Sequence, residues 1–198
     1  MKTSATPPKW AEALLRLFLR PEVFASVSGD LLEQYRDSIH PARGLLGADK
    51  WYVVQVLGFV LRGARLWAAL FAGAYVARTA LDWLQPTTDF HTRSEVSTAL
   101  AAGILLASGF WAAWRSGSFA AGAAVGFATT AIGAVLSIGG VVVLLAIWHD
   151  PVTMTAIRGS GDLQESLVLP TFLILPGVAI AGVGGVVGAT AKRLVRAG

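Results

Sequence analysis

The chain contains no cysteine. That excludes disulfides, thiolate metal sites, iron–sulfur clusters and cysteine nucleophiles together. Charge is nearly as scarce. Asp, Glu, Lys and Arg make up 14% of the 198 residues, against ~25% in an ordinary globular domain. Sequence signatures of chemistry are missing too. No G-x-x-x-x-G-K-S/T phosphate loop, no His-x-x-x-His pair and no Ser, His, Asp order stands out. Nor is a cleavable leader expected, because Arg16 and Arg20 interrupt the first 25 residues.

What the chain has instead is apolar length. Hydrophobic residues form 55% of it, and the mean hydropathy is +0.61. Four apolar stretches, at 63–84, 96–114, 119–148 and 167–191, come close to the ~20 residues that a helix rising ~1.5 Å per residue needs to cross a bilayer. The expected fold is therefore all-α: an integral membrane four-helix bundle (63–198) behind a small N-terminal cytoplasmic helical module (1–62).

The charges are sorted by side. Nine Lys and Arg lie in the first 65 residues, Arg115 lies in the second connection, and Lys192, Arg193 and Arg196 close the chain. The other two connections hold only Arg93 and Arg158, beside Asp82, Asp89, Glu95, Asp150, Asp162 and Glu165. Positive loops stay in the cytoplasm, so both termini are expected there, in a bacterial-type inner membrane. These cations face lipid headgroups rather than nucleic acid. Trp51, Trp67, Trp83, Trp111, Trp114 and Trp148 mostly fall near the predicted span ends, as interfacial aromatics do.

The first fifty residues read as short helices. Pro7 and Pro8 start one, Trp10, Leu14, Leu15 and Phe18 form its apolar stripe, and Pro21 ends it. A second is expected over 22–39, broken near Ser28-Gly29-Asp30, with Asp30 as a cap. Pro41 and Gly44 to Gly47 read as a loop. Asp49 then caps a helix whose first part, 51–61, is interfacial and runs into the first crossing.

Three short motifs stand in this region: Pro7-Pro8-Lys9-Trp10, then Gly29-Asp30-Leu31-Leu32-Glu33-Gln34-Tyr35, then Asp49-Lys50-Trp51-Tyr52. Together they resemble the permease prefix domain that precedes the membrane part of macrolide-exporter-like ABC permeases. The resemblance implies a cytoplasmic helical module marked by Gly29, Asp30, Leu31, Glu33, Tyr35, Trp51 and Tyr52. It covers about a third of the chain. The rest departs from that family, whose large extracytoplasmic domains have no counterpart in outer loops of ~10–20 residues. The transport activity of those permeases is therefore not carried over.

The remaining candidates are few. Arg78 and Asp82, one turn apart, suit an interfacial i,i+4 ion pair better than a buried functional arginine. His91 and His149, with Asp89 and Asp150, are conceivable metal or haem ligands, but no ligand spacing supports a site, and no metal or cofactor is expected. The acidic residues Asp82, Asp150, Asp162 and Glu165 suit solvated loops. Gly122 with Gly126, and Gly184 with Gly188, have the small-xxx-small spacing of close helix packing, and the glycines at 182–188 read as packing rather than phosphate binding. Pro170, Pro176 and Gly177 mark a kink or hinge in the fourth span, the kind of break from which transporters build midplane sites. Thr129, Thr130, Ser137 and Thr171 are the modest polar groups available to such a site.

These observations lead to an expected function: a non-enzymatic accessory or interaction protein, a subunit or regulator of a larger membrane assembly. Its partners are the lipid bilayer and other membrane subunits or itself. The alternative is a small transporter or permease component that uses the kinked fourth span.

Overall fold

A computed structural model describes residues 6–84, 90–148, 151, 152, 154, 155 and 162–197, and of these all side chains but those of 90, 91, 93, 162, 165 and 197. Among the described residues the chain is helical apart from short turns. The elements are α1 (Lys9–Phe18), α2 (Pro21–Gln34), a π-helical turn (Tyr35–Ile39), α3 (His40–Leu84), α4 (Phe90–Ser116), α5 (Phe119–Ile147), α6 (Asp162–Phe172) and α7 (Ile174–Ala197). Four helices are long and apolar enough to cross a membrane. They are the one ending at Leu84, then Ser94–Ser116, Phe119–Ile147 and Ile174–Arg196. The all-α, four-span expectation is met.

The distribution of side-chain size shows what solvent these helices suit. α5 buries Ala121, Gly122, Gly126, Gly133 and Ser137, and turns Phe127, Val135, Leu136, Val142 and Val143 outward. α7 does the same, with Ala181 inside and Val183, Val186 and Val187 outside. In water such a surface would be one continuous apolar patch. In lipid it is the ordinary arrangement, because acyl chains accept large apolar groups while small ones let helix backbones meet.

The N-terminal module is built the other way. Ala11, Leu15, Leu31, Tyr35, Ala48, Tyr52 and Val56 form one buried cluster. The Tyr35 and Tyr52 rings meet edge to face at 6.0 Å and 89°. The Tyr35 hydroxyl donates to Asp49 Oδ1 at 2.6 Å. Burial, then the Asp49 hydrogen bond and charge, push the Tyr35 phenol up to about 12. The module is not a separate bead. Leu14 and Phe18 of α1 pack beside Val60, Ala64, Ala128 and Ile132 of α3 and α5.

Several local expectations need correction. Trp10 is exposed, and the buried side of α1 is carried by Ala11 and Leu15 instead. α2 passes through Gly29 and Asp30 without a break, since one glycine costs a helix only ~1 kcal/mol. The break comes at Gly44, whose φ of 68° belongs to the left-handed region that glycine tolerates. Because the chain is helical again directly after Gly44, Asp49 lies inside α3 and does not cap it. Its carboxylate is used by Tyr35. From that elbow, residues 45–84 run ~60 Å at ~1.5 Å per residue, about twice the hydrocarbon thickness. The first crossing and the stalk of the module are thus one rod, and α3 passes residue 62 unbroken.

Candidate binding site

The fourth apolar stretch is two helices, α6 and α7, meeting at Leu173, and α7 by itself is long and apolar enough to cross. The cause is in the prolines. In a helix each N–H bonds the carbonyl four residues back, so Pro170 leaves the Ser166 carbonyl without its intrahelical donor, and Pro176 does the same to Phe172. The Tyr75 hydroxyl of α3 donates to the Ser166 carbonyl at 3.0 Å. Around the second proline the ladder resumes, with Gly177 N–H bonding the Leu173 carbonyl at 2.9 Å.

Beside this break lies a cavity of about 410 Å³. Three helix faces wall it. α3 contributes Phe71, Ala74, Tyr75 and Arg78, and α4 contributes Ser94, Ser97, Thr98, Ala101, Ala102 and Leu105. The broken crossing contributes Leu169, Leu173, Pro176, Gly177 and Ile180. Each set repeats at three or four residues, so each is a single face. The polar side chains gather at one end, away from the N-terminal module. Ser97 Oγ donates to the Ser94 carbonyl at 3.0 Å, and Arg78 Nε bonds Asp82 Oδ2 at 3.2 Å. The two partners of that pair are 21% and 16% exposed. Arg78 borders the cavity; Asp82 does not.

Behind the cavity the bundle is closed by glycine. A Cβ placed on Gly184 would strike the Leu106 carbonyl oxygen, and one on Gly188 the Phe110 carbonyl oxygen, both of α4. From the α5 side, a Cβ on Gly122 would lie 2.6 Å from the Gly185 Cα, and one on Gly126 would overlap Ala181. Gly177, next to Pro176, is held against Thr130, whose hydroxyl donates back to the Gly126 carbonyl at 2.8 Å. The backbones of α4, α5 and α7 touch, a distance at which Cα–H···O contacts contribute. At the module end, Lys192 Nζ donates to the Arg115 carbonyl at 2.8 Å, tying the end of α7 to the end of α4.

The sequence candidates therefore divide. Arg78, Pro176 and Gly177 come together on the cavity, while Gly122, Gly126, Gly184 and Gly188 lie in the packed seam. Pro170 is fully buried outside the cavity wall. Thr171 donates to the Val168 carbonyl at an exposed position. Thr129 and Ser137 are fully buried on α5, and their hydroxyls have no partner among the described residues. Leu31, Tyr35 and Tyr52 belong to the module core, with Trp51 packed against it, whereas Gly29, Asp30 and Glu33 are exposed. Asp89, His149, Asp150 and Arg158 lie outside the described residues, as do the side chains of His91, Arg93, Asp162 and Glu165. Among the described residues no three His, Asp or Glu side chains cluster as metal ligands.

Tyr75, Ser94, Ser97 and Thr98 were not singled out from sequence. A signal existed. Ser94, Ser97 and Thr98 recur at i, i+3 and i+4 at the head of an apolar helix, where one polar face needs a reason. No family model, no curated protein and no solved structure matches this chain.

Proposed function

We propose that this chain is a non-enzymatic accessory protein of a bacterial-type inner membrane, with both termini cytoplasmic. Its N-terminal module is a permease-prefix-like platform for a partner subunit. The carrying observation is that module and membrane bundle are one body. α3 runs unbroken from the Gly44 elbow through the first crossing, and α1 packs on both α3 and α5. A partner gripping the module therefore grips the crossings, which suits a subunit or regulator. The test is capture of the tagged protein from its native membrane in mild detergent, with mass spectrometry of what accompanies it. A reproducible stoichiometric partner, lost on disrupting the module core at Tyr35, supports the reading. Robust catalysis by the purified chain alone would sink it.

A second reading, a small transporter, is favoured by one observation: the cavity abuts Pro176 and Gly177 at the break in the fourth crossing. Helix breaks in transporters expose backbone groups to a solute. Flux into proteoliposomes that Pro176→Ala abolishes would establish it, and a tight, impermeable proteoliposome would remove it.

A further inference from the structure

We propose that the notch where the turn after α1 meets the module end of α4 holds the phosphate head of an anionic phospholipid. The site goes beyond both readings of function and depends on neither.

The notch has a volume of about 40 Å³. Arg20 reaches it from the turn between α1 and α2, Gly63 from α3, and Ser108, Trp111 and Arg115 from one face of α4. A water-sized group needs ~10–15 Å³ of such space, so a few head oxygens fit and a whole solute does not. The remainder of any ligand must lie outside. Arg115 and Arg196 fall in the last turns of α4 and α7, where the crossings Ser94–Ser116 and Ile174–Arg196 end. That is headgroup depth in a bilayer, and what lies beside it is acyl chain. Trp111, 51% exposed one turn deeper on α4, is the kind of aromatic this level favours.

Charge decides the head. Arg20 and Arg115 both border the notch, and Lys192 is tied to it by the bond that its Nζ donates to the Arg115 carbonyl. The charges of Arg196, Glu22 and Arg20 all act on Lys192, so the turn after α1 and the end of α7 are within electrostatic reach. Four cations thus gather around one carboxylate, and Glu22 is off the notch wall. Among the described residues Arg20, Arg115, Lys192 and Arg196 make no ion pair; the pair that forms is Arg78 with Asp82. The carbonyl ends of α4 and α7 offset part of this charge, about half a unit each, and leave the balance positive. Phosphate oxygens match guanidinium donors, and basic pockets between crossings suit anionic heads. A choline or ethanolamine head brings its own cation and would be repelled.

The test uses the purified chain in a non-ionic detergent, with binding read by native mass spectrometry. Phosphatidylglycerol is compared with phosphatidylcholine of the same acyl chains, and with glycerol 3-phosphate, which has the phosphate without the chains. The proposal expects phosphatidylglycerol to bind ~10-fold or more tightly than either, the scale of one hydrogen bond to a charged group. Arg20→Gln and Arg115→Gln should each lower that preference, and Arg65→Gln should leave it unchanged. Arg65 serves as the control because it lies two residues past Gly63, about 200° round α3, and is off the notch wall. Equal binding of the two lipids by the unaltered protein overturns the proposal without any variant having to fold. So does a preference that Arg65→Gln lowers as much as Arg115→Gln does. Glycerol 3-phosphate binding as tightly as phosphatidylglycerol overturns the assignment to a lipid. Partner capture and flux are separate readouts, so either reading of function can fail while this site stands.

Discussion

The N-terminal module and the α4–α5–α7 seam are both close-packed, yet almost nothing about their contents is shared. The module is filled by large side chains, Leu15, Tyr35, Tyr52 and Val56. The seam is filled by main chain, with Gly109, Gly122, Gly184 and Gly188 set against neighbouring backbone. The difference follows from the solvent each is built for. In water, burying a large apolar side chain contributes ~1.5–3 kcal/mol, so a core is made of such groups. In lipid that term vanishes, since a leucine is as content against an acyl chain as against a helix. What remains is contact, and contact is greatest where side chains are smallest.

That contrast can be broken at either end. The largest effect is expected from Tyr35→Ala, which empties the centre of the module and should cost it ~3–5 kcal/mol. Limited proteolysis should then cut within the first sixty residues while the crossings stay protected. Next comes Gly184→Ala. A single methyl here meets the Leu106 carbonyl, so α7 must move off α4, at ~1–3 kcal/mol. A lowered melting temperature in detergent would report it.

A subtler handle is pH. Because the folded module raises the Tyr35 phenol from 10.0 to about 12, it favours the neutral form. That stabilisation is complete below pH 10.0 and is lost as pH climbs through about 12. Tyrosinate absorbance and proteolysis of the module should rise together across this window, and Tyr35→Phe should uncouple them. The smallest effect has the opposite sign. Gly103, on the same helix as Leu106, has open space where a Cβ would go. Gly103→Ala should therefore raise the melting temperature, by ~0.5–1 kcal/mol of helix propensity. The same change, Gly to Ala, thus destabilises inside the seam and stabilises outside it.

Much of the fold was legible because lipid imposes simple rules. Length and apolarity marked the four crossings, and small-xxx-small spacing pointed to Gly184 and Gly188. The module was harder. Asp49 reads as a cap because Asp before a Lys-Trp-Tyr run is what caps look like, and only the tertiary fold reveals that Tyr35 claims its carboxylate. Gly29 reads as a helix break and Gly44 as part of a loop, yet of the two only Gly44 takes a positive φ, and the helix resumes at once after it. At the cavity, Pro176 and Arg78 stood out as exceptions in apolar runs. Tyr75 did not, because its role depends on a carbonyl 91 residues away that Pro170 releases.

The proposed topology has four crossings with the module on the inner side. A chain without cysteine allows a direct test. Leu46→Cys, 85% exposed on the module, and Val152→Cys, 80% exposed before the fourth crossing, would each carry the only thiol. A membrane-impermeant maleimide added to intact spheroplasts should label Val152→Cys at once and Leu46→Cys only after detergent. Labelling of both positions from the same side, or of Leu46→Cys alone from outside, would contradict the topology on which the rest is built.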